Sequence, residues 1–130
     1  MAITAFYAAL LTPLYVLLSL RVIGARRRQR VPVGDGGNAT VLRRMRVQAN
    51  FAENVPWALL LMALTESLSA DARLLHSLGV ALLVGRIVHA VGMSREMENL
   101  ALRVFGMAAT FSVQLVAAAA CLVLAVQRLY

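Results

Sequence analysis

Residues 2–23 read AITAFYAALLTPLYVLLSLRVI, and this stretch decides the class of the fold. Only Thr4, Thr12, Pro13 and Ser19 interrupt its apolar character before Arg21, whose guanidinium can extend to a membrane interface while its stem stays apolar. About 20 apolar residues are enough for an α-helix to cross the hydrocarbon core of a bilayer, so the run is long enough to span. Pro13 is expected to bend this helix or to be accommodated by neighbours, as membrane helices tolerate. With no charged leading region and no small-residue cleavage site behind it, the run reads as a retained span and not as a removed signal peptide.

Working outward, the segment 26–38 carries Pro32, Gly34, Gly36 and Gly37, which break any helix, and Asp35, which suits a turn. A second helix is expected to start near Asn38 or Thr40, either of which can cap free N–H groups, and to continue past Arg46 into the apolar stretch 55–64. Ser69 and Asp71 resemble a cap and a first-turn acid for a third helix, with Arg86 and His89 near its far end. Arg95, Glu96, Glu98 and Asn99 mark a return loop before the last apolar run, 104–126. The expectation is therefore an all-α, integral membrane four-helix bundle forming one domain over 1–130, with helices at about 2–28, 38–68, 70–94 and 99–128.

Composition agrees with a bilayer solvent. The 130 residues are 61% hydrophobic and 15% charged, with mean hydropathy +0.75, whereas soluble domains are about half apolar and about a quarter charged. A net charge of +7 and a pI near 11.3 would ordinarily raise nucleic acid as a partner. Position argues against it: Arg21, Arg26, Arg27, Arg28, Arg30, Arg43, Arg44 and Arg46 crowd between the first two apolar runs. The positive-inside rule puts that loop in the cytoplasm, with both termini outside. Cys121 is the single cysteine and lies in an apolar run, so no intrachain disulfide can form.

The informative polar residues then share one level of the membrane. Arg46, Asn50 and Glu53 recur at i, i+4 and i+7 and project within about 60° on one helix face. A carboxylate at that depth is costly, so Glu53 should face protein or a wet cavity and find a cation. Two roles fit it on spacing alone: part of a binding site, or a structural ion pair that locks the assembly. Arg86 and His89 at i and i+3 form a second stripe. Other chemistries find no pattern here. Gly34 to Gly37 leads into Asn38-Ala39-Thr40 with no lysine, unlike a phosphate loop. His76 and His89 would stand about 20 Å apart on one helix, too far to share a metal, and His76 reads as interfacial.

The segment Arg46-Val-Gln-Ala-Asn50-Phe-Ala-Glu53-Asn-Val-Pro56 resembles the second-helix signature of the MAPEG family, the membrane-associated proteins in eicosanoid and glutathione metabolism. Gly85-Arg86-Ile-Val-His89 is similar to the third-helix segment of the family's microsomal prostaglandin E synthases, and Val33-Gly-Asp-Gly-Gly37 to a loop of its bacterial members. The resemblance implies a bacterial inner-membrane homotrimer that binds glutathione, as thiol co-substrate, between subunits. It also implies a glutathione transferase or peroxidase acting on a lipophilic small molecule from the bilayer.

On that resemblance Arg46, Asn50, Glu53, Arg86, His89 and, from a neighbouring subunit, Arg30 are the expected glutathione-binding residues. Arg103, at the start of the fourth helix, is the expected catalytic residue. Forked guanidiniums suit the two carboxylates of glutathione, and Glu53 suits its ammonium. Two family tyrosines are absent: Met93 stands one turn beyond His89, and Asn54 follows Glu53. The family's non-catalytic lipid-binding branch is accordingly the alternative reading, ahead of a proton-coupled transporter.

Overall fold

The computed structural model describes residues 1–94 and 99–130. Four helices follow in order: α1 (Ala2–Gln29), α2 (Ala39–Ser67), α3 (Ala72–Ser94) and α4 (Leu100–Leu129). The chain is an all-α integral membrane bundle. Three helices, α1, α3 and α4, are long and apolar enough to cross a bilayer. At 29 residues α2 would reach about 43 Å at 1.5 Å per residue, and its charged first half is what sets it apart in composition.

Local chemistry fixes the helix ends. α1 runs through Pro13 and stops at Arg30, whose φ of 54° lies in the left-handed region. The N–H groups of Arg30 and Val31 close back onto Arg27 and Arg26 carbonyls, and Pro32 forbids continuation. Asn38 opens α2, its side chain accepting from the N–H of Thr40 at 3.0 Å and of Val41 at 3.1 Å. Asp71 caps α3 through the Arg73 N–H at 2.7 Å. The expectation of Ser69 as that cap is corrected: Ser69 adopts φ 66° and its N–H returns to the Glu66 carbonyl, so it terminates α2 instead. Asn99 caps α4 through Leu102 N–H. The expected return-loop residues Arg95, Glu96 and Glu98 lie outside the described residues.

Contacts between helix ends give the topology. Arg21 of α1 donates to Ser94 Oγ of α3 at 3.0 Å, and Arg44 of α2 donates to the Arg21 carbonyl at 3.1 Å. At the other end Tyr7 Oη meets His76 Nδ1 at 3.1 Å and Arg128 donates to Ser69 Oγ at 3.0 Å. Consecutive helices are thus antiparallel. α1 and α4 each pack on both α2 and α3 and do not touch one another, so α2 and α3 form the central pair. Leu11, Leu18, Phe51, Val55, Met62, Leu78, Leu82 and Val113 fill the core. Outward, Leu17, Phe111, Leu115 and Leu122 stand exposed, an apolar exterior that suits hydrocarbon and not water.

Two tertiary features hold the ends in place. Met1 gives α1 no side-chain cap. Glu66, at the end of α2, receives the Ile3 and Thr4 N–H groups at 2.9 Å each and so caps α1 from another helix. Between α3 and α4 the spacing is set by glycine. A Cβ on Gly106 would lie 2.6 Å from the Gly85 carbonyl oxygen and 2.5 Å from His89 Cβ, so only glycine allows this approach.

Candidate functional site

Three helices converge where the arginines gather. On α2, Arg43 and Asn50 fall about 60° and 40° to the same side of Arg46, and all three face a cavity of about 470 Å³. His89 and Met93 of α3 and Arg103 and Met107 of α4 close it, with Ala39 and Leu42 at the start of α2. Among the described residues its charged lining is arginine alone, with no carboxylate.

The glycine contact places His89 against the start of α4. His89 is 1% exposed, and its Nδ1 lies 3.2 Å from the Arg103 carbonyl oxygen. A carbonyl only accepts, so Nδ1 carries the proton in this bond and the neutral ring keeps its lone pair on Nε2. That nitrogen is buried and has no partner among the described residues.

Arg86 does not line the cavity. It is 1% exposed and lies behind Asn50, donating through Nη2 to Asn50 Oδ1 at 2.7 Å. Its Nη1 approaches Thr110 Oγ1 at 3.4 Å and Met107 Sδ at 3.8 Å, and its guanidinium carbon sits 5.6 Å from the Phe51 ring centroid. A charge buried at membrane depth is tolerated when such neighbours satisfy it. Among these contacts, only the Asn50 bond combines a short distance with an oxygen acceptor.

The remaining expected site residues stand elsewhere. Glu53 is exposed on α2 beside exposed Ala52 and Trp57, and within the single chain no described residue bonds it. Arg30 is exposed at the end of α1 and lines a different cleft of about 550 Å³ with Arg26, Arg27 and Pro32. The structure therefore brings together Arg46, Asn50, His89 and Arg103, sets Arg86 behind them, and leaves Glu53 and Arg30 outside. Arg43 and Met107 complete the cavity and were absent from the sequence-derived set. The spacing of Arg43, three residues before Arg46, was the available signal; nothing in the sequence pointed to Met107.

The profile of the MAPEG family matches residues 4–123 of this sequence. The chain belongs to the MAPEG family. A relative named "Inner membrane protein YecN", from Escherichia coli strain K12, is 33% identical over 109 residues, covering 84% of this chain and 82% of its own length. The protein of the same name from Escherichia coli O6:H1 strain CFT073 matches to the same extent. In this MAPEG protein Met93, one turn beyond His89, lines the cavity with a thioether. Asn54 points back along its own helix, its Nδ2 donating to the Asn50 carbonyl at 2.9 Å. Neither position offers a phenol to a ligand.

Proposed function

We propose that this MAPEG protein sits in the bacterial inner membrane as a homotrimer, with both termini outside the cytoplasm. In that reading it binds glutathione in the arginine-lined cavity and uses it as thiol co-substrate against a lipophilic electrophile. The observation that carries this reading is the polarity of the cavity: Arg43, Arg46 and Arg103 around Asn50 and His89, with no carboxylate among the described lining residues. A ligand with two carboxylates and a thiol suits that lining. Its ammonium requires an acceptor, and Glu53, exposed on α2 and bonded by no described residue of its own chain, would supply it where a neighbouring subunit closes the site. Arg30 is the residue proposed to reach in from that neighbour.

Arg103 stabilises the thiolate. An unperturbed thiol has pKa about 8.5, and adjacent positive charge lowers it toward neutrality. The S–H proton passes to solvent, the thiolate sulfur forms a bond to the electrophilic carbon, and the displaced electron pair leaves with the leaving group or is protonated. Positioning and electrostatics carry the step. The absence of a phenol at Met93 and Asn54 favours a second reading, a non-catalytic lipid-binding or scaffold protein of the same fold.

Titration calorimetry of the detergent-solubilised protein with glutathione, together with turnover of a generic aryl halide, separates the two. Binding and turnover are expected in the wild type, with weaker binding in Arg46→Ala and Glu53→Gln. Arg103→Ala is expected to lose turnover more than affinity. Binding without turnover supports the second reading, and no binding rejects the glutathione site. A stable monomer in detergent that still binds glutathione would reject the intersubunit location.

A further inference from the structure

We infer that Arg86 is a positioning residue that fixes the Asn50 side-chain amide so that it presents N–H, and not C=O, to the ligand. This rests on the glutathione reading for the identity of the ligand, although the orientation itself does not. Asn50 is the one neutral side-chain amide among the described residues lining the cavity, and an amide can turn either its oxygen or its nitrogen to a ligand. Arg86 has only donors, and its Nη2 lies 2.7 Å from Asn50 Oδ1. Reversing the amide would set NH₂ against guanidinium N–H, donor against donor, and leave a buried cation without its best acceptor. The oxygen is therefore committed to Arg86, and the nitrogen, on the other branch of the planar amide, remains for the cavity.

The consequence is a specificity rule. Arg43, Arg46, Arg103 and Asn50 all offer donors. Among the described lining residues, His89 is the one whose side chain, through the buried Nε2 left as an acceptor by the Arg103 carbonyl, could receive a proton. A ligand that fits the described lining presents oxygen anions or carbonyls toward α2 and α4 and an S–H or N–H toward His89.

Asn50→Asp and Asn50→Leu test this in the detergent-solubilised protein. The introduced carboxylate keeps an acceptor for Arg86, so Asn50→Asp is expected to melt at or above the wild-type temperature. Asn50→Leu strands the guanidinium and is expected to melt lower. With the donor replaced by an anionic acceptor, Asn50→Asp is expected to bind glutathione weaker by about tenfold or more despite its intact fold. In the ¹⁵N-labelled wild type, the Asn50 side-chain NH₂ resonances are expected to shift on adding glutathione, a change that a purely structural amide would not show. A less stable Asn50→Asp beside an unperturbed Asn50→Leu would overturn the orientation. Equal affinity in Asn50→Asp and wild type would overturn the specificity rule. Wild type that fails to bind glutathione would defeat the functional reading, and the melting comparison would still decide the orientation.

Discussion

Gly106→Ala tests the contact on which the cavity depends. The added methyl would lie 2.6 Å from the Gly85 carbonyl oxygen, 2.5 Å from His89 Cβ and 2.8 Å from His89 Cα. Two of these three are backbone atoms, so no side-chain rotation relieves the overlap and α3 must move away from α4. Overpacking of this kind costs about 1–3 kcal/mol. Gly85→Ala is the comparison, because its methyl would meet the Ala109 Cβ at 2.9 Å and the Gly106 carbonyl oxygen at 3.3 Å, a milder overlap. The same displacement lengthens the 3.2 Å contact between His89 and the Arg103 carbonyl, releasing the tautomer and shifting Arg103. Thermal unfolding in detergent should therefore rank wild type above Gly85→Ala and Gly85→Ala above Gly106→Ala. Under the proposed function, glutathione-dependent turnover should fall in Gly106→Ala by more than its occupancy at saturating glutathione. A Gly106→Ala protein with wild-type melting temperature would refute the claim that glycine sets the helix spacing.

Two further outcomes follow from the ends of the bundle. Reporters fused to either terminus should be accessible from outside the cytoplasm, and a reporter in the segment 31–38 should be accessible from inside, because the loop arginines resist export; the reverse pattern refutes the orientation. Glu66 lies beyond the apolar part of α2 at the opposite end. Burial opposes its charge, yet the Thr4 and Ile3 donors and the N-terminal ammonium prevail and hold its pKa at about 2, below the ordinary 4.5. A depressed carboxyl stabilises the fold fully above its unfolded pKa and loses that contribution as pH falls through the folded value. The melting temperature should thus drop between about pH 4.5 and pH 2 in the wild type, with a smaller drop in Glu66→Gln. At neutral pH Glu66→Gln should cost about 1 kcal/mol, the usual worth of a helix cap. Parallel pH curves for the two proteins would show that Glu66 is not the responsible group.

Much of this protein was legible in its sequence because the signals are local or periodic. The run 2–23 is apolar long enough to cross a bilayer, Asn38 can bond the N–H groups two and three residues on, and the glycines at 34, 36 and 37 all take positive φ where no helix can continue. The face shared by Arg46 and Asn50 follows from 100° per residue and needs no knowledge of the neighbouring helices. What faces that stripe was decided by packing. Arg86 and Asn50 are 36 residues apart, and only packing sets the Arg86 guanidinium against the Asn50 amide and behind the cavity lining. Ile3 and Glu66 are 63 residues apart, so no pattern around Met1 reveals that α1 is capped from α2. The α3 to α4 spacing hangs on which atoms oppose Gly106, and a glycine in a sequence states only that a side chain is absent. Each helix carries its own start, stop and polar face in its residues, whereas partners across helices depend on rotation and depth in the bundle, which the chain acquires only when all four pack together.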